Sequence, residues 1–478
     1  MEYNQELELL KEQLKNNIMS WYPKNDNAQY IIIKDFCKRD VDKLKEVVEK
    51  LNENGKILIL MNNRLSIRRV CINNSKTEDL YSKKEIEELL DKMGLTYKKF
   101  YYPLPSCEMT NVIFTDKHLP DEETISRNVV FNEADDIELN KENELYKDII
   151  KQDKNLFKIF ANCFFIECSK YEFKDNEIEF VSFSNMRKEE YRIKTIIKGN
   201  SVYKDNLKDN SIAHIKNIEK NIDILKQCNI NTLDRYEDLV VISAYQKDKD
   251  TLDKILIEKL KQGNVEEVKE IMKNLYLELQ QKLESVETDK NVFDKYEIAY
   301  EKEDINNLTF IKYGFWDMIL QNIFYIDDKY FFYDQEWLEE NIPIEFLIYR
   351  TIAYNPELVK MLDLKMLLNE FNITDKNISL FQILDNKLQE KTRNNEAWRI
   401  HTQVNNLNKI LDNLNAKYEE IKILQNDKEK ITQDCRKLLN EKDARIKLLE
   451  ENMENTINLL KEKEHKIELM ENSTSWKI

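Results

Sequence analysis

The chain has 478 residues, long enough for two or three domains, and only five of them are glycine. The five stand singly, at 55, 94, 199, 263 and 314, so a P-loop, a Rossmann GxGxxG turn and a glycine-rich kinase loop are excluded in their usual form. A formal charge of −16, from 90 acidic against 74 basic residues, repels phosphate backbones and argues against a nucleic-acid partner.

The opening residues, MEYNQELELLKEQLK, read as a charged helix without an apolar signal core. Residues 1–120 then alternate helical and strand-like segments. Leu44 to Leu51 is amphipathic and stops at Asn54-Gly55. KILILM (56–61) has the unbroken apolar pattern of a strand covered on both faces. Ser82 and Glu85 form a capping box that opens a helix ending at Met93-Gly94. YKKFYYPLP and NVIFTD follow as two strands joined around Ser106. The order is α/β with an antiparallel finish, and an acidic linker from 132 closes the region.

Residues 150–385 carry strands first and helices later, an α+β order. The predicted strands are FKIFANCFFIEC (157–168), EIEFVSFS (177–184), EYRIKTII (190–197) and SVY (201–203). Helices are expected from Ile212 to Cys228 and from Asp250 to Leu283. A hairpin at 322–337 turns at Asp327-Asp328, and helices return after it. From 388 to 472 there is neither proline nor glycine. Apolar residues recur there at three- and four-residue steps, through Leu407, Leu411, Leu414, Tyr418 and Ile421, then Ile431, Cys435 and Leu438, then Leu449, Met453, Ile457, Leu460 and Ile467. This heptad-like seam predicts a coiled coil, and with it self-association.

Seven scattered cysteines without a CxxC, and four histidines far apart, argue against a zinc site or a Cys–His pair and suit reduced thiols in a cytosol. No apolar run approaches the ~18 residues of a membrane span. The strongest chemical signal is YGFWDMILQNIFYIDDKYFFYDQEW. Asp317 and Asn322 stand in D-x-x-x-x-N spacing, and Asp334 follows at the end of the hairpin. In phosphoryl transfer an Asp accepts the proton of the acceptor hydroxyl, while an Asn and a strand-end Asp hold magnesium through oxygen. Asp317 is the expected base, with Asn322 and Asp334 as metal ligands. Trp316 and Trp337 read as core residues in preference to a sugar platform.

On these residues, residues 150–385 resemble the kinase-like half of bacterial proteins that join a class I S-adenosylmethionine-dependent methyltransferase to a kinase in surface-polysaccharide synthesis. The bifunctional O-antigen chain-terminating methyltransferase/kinases have this architecture, coiled coil included. FYDQEWLEENIPIEFLIYR (332–350), NPELVKMLDLKMLLNEF (355–371), FANCFFIE and VSFSNMRKEEYRIKTI carry the likeness further. It implies ATP with Mg2+ as cofactors and phosphorylation of a terminal sugar followed by methylation of that phosphate. A kinase of this kind also needs a strand lysine on the nucleotide phosphates, paired with a helix glutamate. The lysine's place in FVSFS is taken by Ser182; Arg187, Lys188 and Lys204 are the nearby substitutes, with Lys204 carried forward and Glu219 as the glutamate.

The N-terminal region resembles the methyltransferase half in WYP (21–23), YIII (30–33), NGKILILMNNRLSIRR (54–69), YSKKEIEELLDKMGL and FYYPLPSCEMTNVIFTDKHLP (100–120). KDFCKRD replaces the glycine-rich turn on which S-adenosylmethionine would lie, and Asn62 and Ser66 replace a usual Glu and Gly. S-adenosylmethionine is therefore not expected to bind. The closing NSTSWKI resembles a segment that follows coiled coils in bacterial glycosyltransferases of cell-surface glycan synthesis.

The expected organisation is a degenerate, truncated Rossmann-like methyltransferase domain (1–125), a protein-kinase-like domain (145–387) and a coiled coil (388–472). The expected function is a kinase-like transferase of cell-surface glycan biosynthesis. The alternatives are an oligomerising assembly protein of the same pathway and an active methyltransferase. Glycans or glycosyltransferases are the implied partners, and the implied location is cytoplasmic, with partners as the route to the inner face of the membrane.

Overall fold

The computed structural model describes residues 11–22, 29–72, 78–127 and 141–472. The first ten residues of the expected N-terminal helix, the acidic linker up to 140 and the NSTSWKI terminus from 473 lie outside that set. The chain divides into two compact units, 1–404 and 405–478.

A ten-stranded sheet organises the first unit. In chain order its strands are β1 (Tyr30–Ile33), β2 (Lys56–Asn62), β3 (Tyr97–Leu104), β4 (Val112–Thr115), β5 (Cys163–Ser169), β6 (Ile178–Phe183), β7 (Ile193–Lys198), β8 (Ser201–Asn206), β9 (Asp234–Glu237) and β10 (Val240–Ala244). In space they run β1-β2-β5-β3-β4-β6-β7-β8-β10-β9. Only β1 and β2 are parallel; every other pair is antiparallel. A doubly wound parallel sheet is therefore absent from the described residues, and one parallel pair is what remains of the Rossmann-like expectation.

The strands follow from the local sequence. Within KILILM, residues Ile57 to Met61 are buried without a break in β2. Helix α1 (Val41–Glu49) packs Leu44 and Val48 inward, and α2 (Lys83–Lys92) buries Ile86 and Leu90. Ser82 caps α2, its backbone N–H donating to Glu85 Oε2 at 2.7 Å. Two expectations fail. FKIF (157–160) is a short helix, so the strand starts at Cys163. That strand also crosses the expected boundary at 145: β5 inserts between β2 and β3, deep in the first region, with Ile59 opposite Ile166 and Phe100 opposite Ile166. The two regions then share one sheet, joined where Ile113 of β4 pairs with Val181 of β6.

Beyond the sheet, α3 (Ile212–Gln227) occupies its expected span. The helix expected from Asp250 to Leu283 is two, α4 (Leu252–Lys261) and α5 (Val265–Lys282). Gly263, at φ +82°, breaks it with a left-handed backbone that residues with a Cβ disfavour. Strand β11 (Phe310–Phe315) pairs with β14 (Leu338–Pro343), and between them β12 (Ile323–Ile326) and β13 (Lys329–Phe332) form a hairpin. Its turn residues Asp327 and Asp328 have φ of 50° and 55°, the double left-handed turn that suits a two-residue hairpin. Helices α6 (Ile344–Ala353) and α7 (Asp375–Thr392) complete a core built on Phe315, Met318, Phe346, Leu347, Phe381 and Leu384. Helix α8 (Asn395–Glu471) is continuous; it starts later than the expected 388 because 388–392 belong to α7. From Leu414 to Ile467 its described apolar seam residues stand in solvent, Leu438 at 59% and Leu460 at 55% exposure. Among the described residues no helix is long and apolar enough to cross a membrane.

Candidate functional site

The site forms where the β11–β14 segment meets β8 and α3. Gly314 sits in β11 against β14, where a Cβ would collide with the Ile342 side chain. That close approach sets the path of Trp316 and Asp317. The backbone oxygen of Asp317 accepts from Asn322 Nδ2 and from Gln335 Nε2, each at 3.0 Å. Buried Arg350 donates from Nε to Trp316 O at 2.8 Å, lies under the Trp316 ring and pairs with Asp385. The half-buried Asp317 carboxyl is thus held on a fixed backbone. Burial first, then the charge of Glu336, pushes it up to about 7, against the pull of Arg350, Arg187 and Lys204. A carboxyl poised near neutrality is suited to accept a hydroxyl proton.

Asp334 has φ +62°, a left-handed backbone. Its N–H donates to Asp234 Oδ2 at 2.8 Å, and the other oxygen of Asp234 accepts from Ser243 of β10. Lys204 on β8 reaches across to it: the ammonium pairs with Asp334 Oδ1 and with Glu336 Oε1, the latter at 2.8 Å. Glu336 is buried and also accepts from Arg187 and, at 3.2 Å, contacts His214 Nε2 of α3. Burial pushes the Glu336 carboxyl up, but Arg187, Lys204 and the His214 hydrogen bond outweigh it and hold it well below the usual carboxylate range. Asn221, two turns further along α3, donates to the backbone oxygens of Gln335 and Glu336 at 3.2 and 2.9 Å.

The structure therefore brings Asp317, Asn322, Asp334 and Lys204 to one place and leaves Glu219 out. Glu219 lies on another face of α3, near Tyr236 and Asp223, because the inward face is set by His214, Ile218, Asn221 and Ile222. The glutamate that pairs with Lys204 is Glu336. Ser182 lies on β6 opposite Val112 and Thr195, two strands from Lys204. Lys204 stands on β8, the strand that precedes α3. Trp316 and Trp337 stack at 5.5 Å, and the His214 ring stacks on Trp337 at 4.5 Å. Trp316 and His214 are buried and Trp337 is half-buried against them, and together they floor the site.

Asn322 and Asp334 supply one amide and one carboxylate. No cluster of three or more His, Cys, Asp or Glu side chains suited to a metal occurs among the described residues. That donor set suits magnesium carried by a nucleotide, since Mg2+ takes one or two protein carboxylates and fills its sphere with phosphate oxygens and water. At the carboxyl ends of β1 and β2 a separate cavity of about 360 Å3 is lined by Lys34, Asp35, Asn62, Arg68 and Arg69, among others.

No protein-family model matches the chain, and no curated protein does. Two solved structures of the aminoglycoside phosphotransferase APH(2")-IIa, which has a kinase-like fold, are weakly similar to part of it. The streptomycin–ATP ternary complex is 12% identical over 44% of this chain and 87% of that chain, with a TM-score of 0.26. The gentamicin complex is 11% identical over 45% and 87%, also at 0.26.

Proposed function

We propose that the chain is a kinase-like phosphotransferase that moves a phosphoryl group from Mg–ATP to a sugar hydroxyl in bacterial cell-surface glycan biosynthesis, with its methyltransferase-like part inactive. The observation that carries the phosphotransferase reading is the convergence of Lys204, Asp334 and Glu336 beside an Asp317 raised to about 7. Bound magnesium neutralises phosphate charge. Asp334 and Asn322 would hold it, Lys204 would turn its ammonium from Asp334 to the phosphates, and Glu336 would keep that ammonium in place. Asp317 accepts the acceptor's proton. The glycan acceptor rests on the family resemblance. Calorimetry with ATP and magnesium tests the reading: binding that depends on magnesium and is lost in Asp334→Asn supports it, and no binding by the intact chain rejects it.

A second reading, an oligomerising assembly protein, is favoured by the solvent-facing seam of α8. Single helices do not leave Leu, Ile and Met at three- and four-residue steps in water without a partner. We propose self-association through 405–472 under either reading. Light scattering should give a dimer or larger for the intact chain and a monomer for a double Ile431→Asp, Leu438→Asp variant; a monomeric intact chain would reject it.

A further inference from the structure

Between β6 and β7, residues 184–192 span the position over Lys204 and Glu336, and they contain no glycine. Instead Arg187 extends into the site, pairing with Glu336 and lying 5.3 Å above the Trp337 ring. This loop is tied down by the segment that leads into α8. Asn394 N donates to Met186 O at 2.7 Å, Lys188 N to Thr392 O at 2.8 Å, and Lys188 Nζ to Lys391 O at 2.8 Å, while Arg187 bridges Arg393 through the backbone. The start of α8 is itself fixed. Ala397 and Ile400 are fully buried against Leu14 and Met109, and Met186 packs on the same cluster. Asn394 caps the helix, accepting from Glu396 N and Ala397 N, and donates to Gln13, which also accepts from Arg192 in the loop.

A glycine-rich loop holds phosphates through bare backbone N–H groups, because no side chain separates them from the ligand. Nine residues without glycine cannot approach in that way. An arginine reaching in from such a loop compensates with a bidentate, permanently charged donor. When Arg187 leaves Glu336, Lys204 at 2.8 Å and His214 Nε2 at 3.2 Å still contact that carboxylate. Resting on the phosphotransferase reading, we propose that Arg187 is a phosphate-binding residue of this site, kept on Glu336 until a nucleotide arrives. The root of α8, residues 392–400, holds the loop that aims it.

The test uses the full chain and four forms: unaltered, Arg187→Gln, Ile400→Ser and the double variant, with Asn394→Ala as a second way to loosen the root. Mg–ATP affinity is read by calorimetry and exchange of the Lys188 amide by mass spectrometry. Arg187→Gln should weaken Mg–ATP about tenfold. Ile400→Ser or Asn394→Ala should speed exchange of the Lys188 amide and weaken Mg–ATP several-fold, while the double variant binds no more weakly than Arg187→Gln, because both changes remove one contact. Unchanged affinity in Arg187→Gln, with the unaltered chain binding, overturns this inference and leaves the phosphotransferase reading standing. Additive losses, or Lys188 exchange that ignores both root variants, overturn the role of the root. An unaltered chain that binds no Mg–ATP rejects both.

Discussion

Two buried glutamates set the two parts of the sheet-bearing unit against each other. Glu167, on β5, accepts from Lys56 at 2.6 Å and from Tyr101 at 3.1 Å. Glu336 accepts from Arg187, Lys204 and His214, and it shares Lys204 with Asp334. The first arrangement is closed: one ammonium and the phenols of Tyr101 and Tyr22 satisfy one buried carboxylate. In the second, a single ammonium serves two carboxylates and a second cation is half-engaged. Partners of that kind can be exchanged for an incoming anion and its metal without leaving a charge buried alone. Buried ion pairs of equal depth can therefore differ in purpose, and the sharing of a cation tells them apart.

The largest effect that would break this comparison is on nucleotide binding. Asp334→Asn keeps a residue that tolerates the left-handed backbone and removes a metal-holding charge, so Mg–ATP affinity should fall roughly 100-fold, about 2.7 kcal/mol. Undiminished affinity in calorimetry would put Asp334 on the same footing as Glu167. Next come the glutamates themselves. Glu167→Gln should destabilise by roughly 3 kcal/mol in urea unfolding, because it strands Lys56, and Glu336→Gln by less, because Lys204 keeps Asp334. Only Glu336→Gln should also weaken Mg–ATP.

A smaller effect depends on pH. Asp317 keeps its proton to about 7 in the folded chain against an ordinary 3.8. The folded state thus binds more protons than the unfolded one between those values. Its contribution to stability is complete below 3.8 and is lost as pH rises through 7. Asp317→Asn should stabilise the chain at pH 8 relative to the unaltered protein and make little difference at pH 4. Transfer activity, which needs the ionised base, should rise with a midpoint near 7 and vanish in the variant. A flat pH–rate profile would remove Asp317 from the chemistry.

No effect at all is expected of two changes. Ser182→Lys places its ammonium on β6, away from Asp334, so Mg–ATP affinity should not move. S-adenosylmethionine should not bind the N-terminal part, whose turn after β1 carries Lys34 and Asp35, with Asp35 at φ +55°. A micromolar dissociation constant would show a working cofactor pocket there.

How much of this was readable beforehand divides along the same line. Features governed by neighbours in sequence were legible: β2 from its unbroken apolar run, the Ser82–Glu85 cap, the Asp327-Asp328 turn, and the long continuous helix from the lack of proline and glycine. That Asp317, Asn322 and Asp334 lie near one another was legible because their spacing is local. Glu336 stood in plain view two residues after Asp334, yet its partners come from β8, α3 and the 184–192 loop, and only the assembled sheet reveals them. The same cause hid β5. Nothing in CFFIECS states that its neighbours are strands more than fifty residues earlier.

That insertion has a consequence for how the chain comes into being. When residues up to Leu104 have left the ribosome, β2 and β3 each expose the edge that β5 will occupy, and β2 is apolar from Ile57 to Met61. The gap closes only once residue 169 has emerged, some 65 residues later. A fragment cut at 125 or 145 would never close it, and exposed apolar edges of that kind pair with other chains. A soluble piece of this unit should therefore reach past β5, so that the two regions are expressed as one.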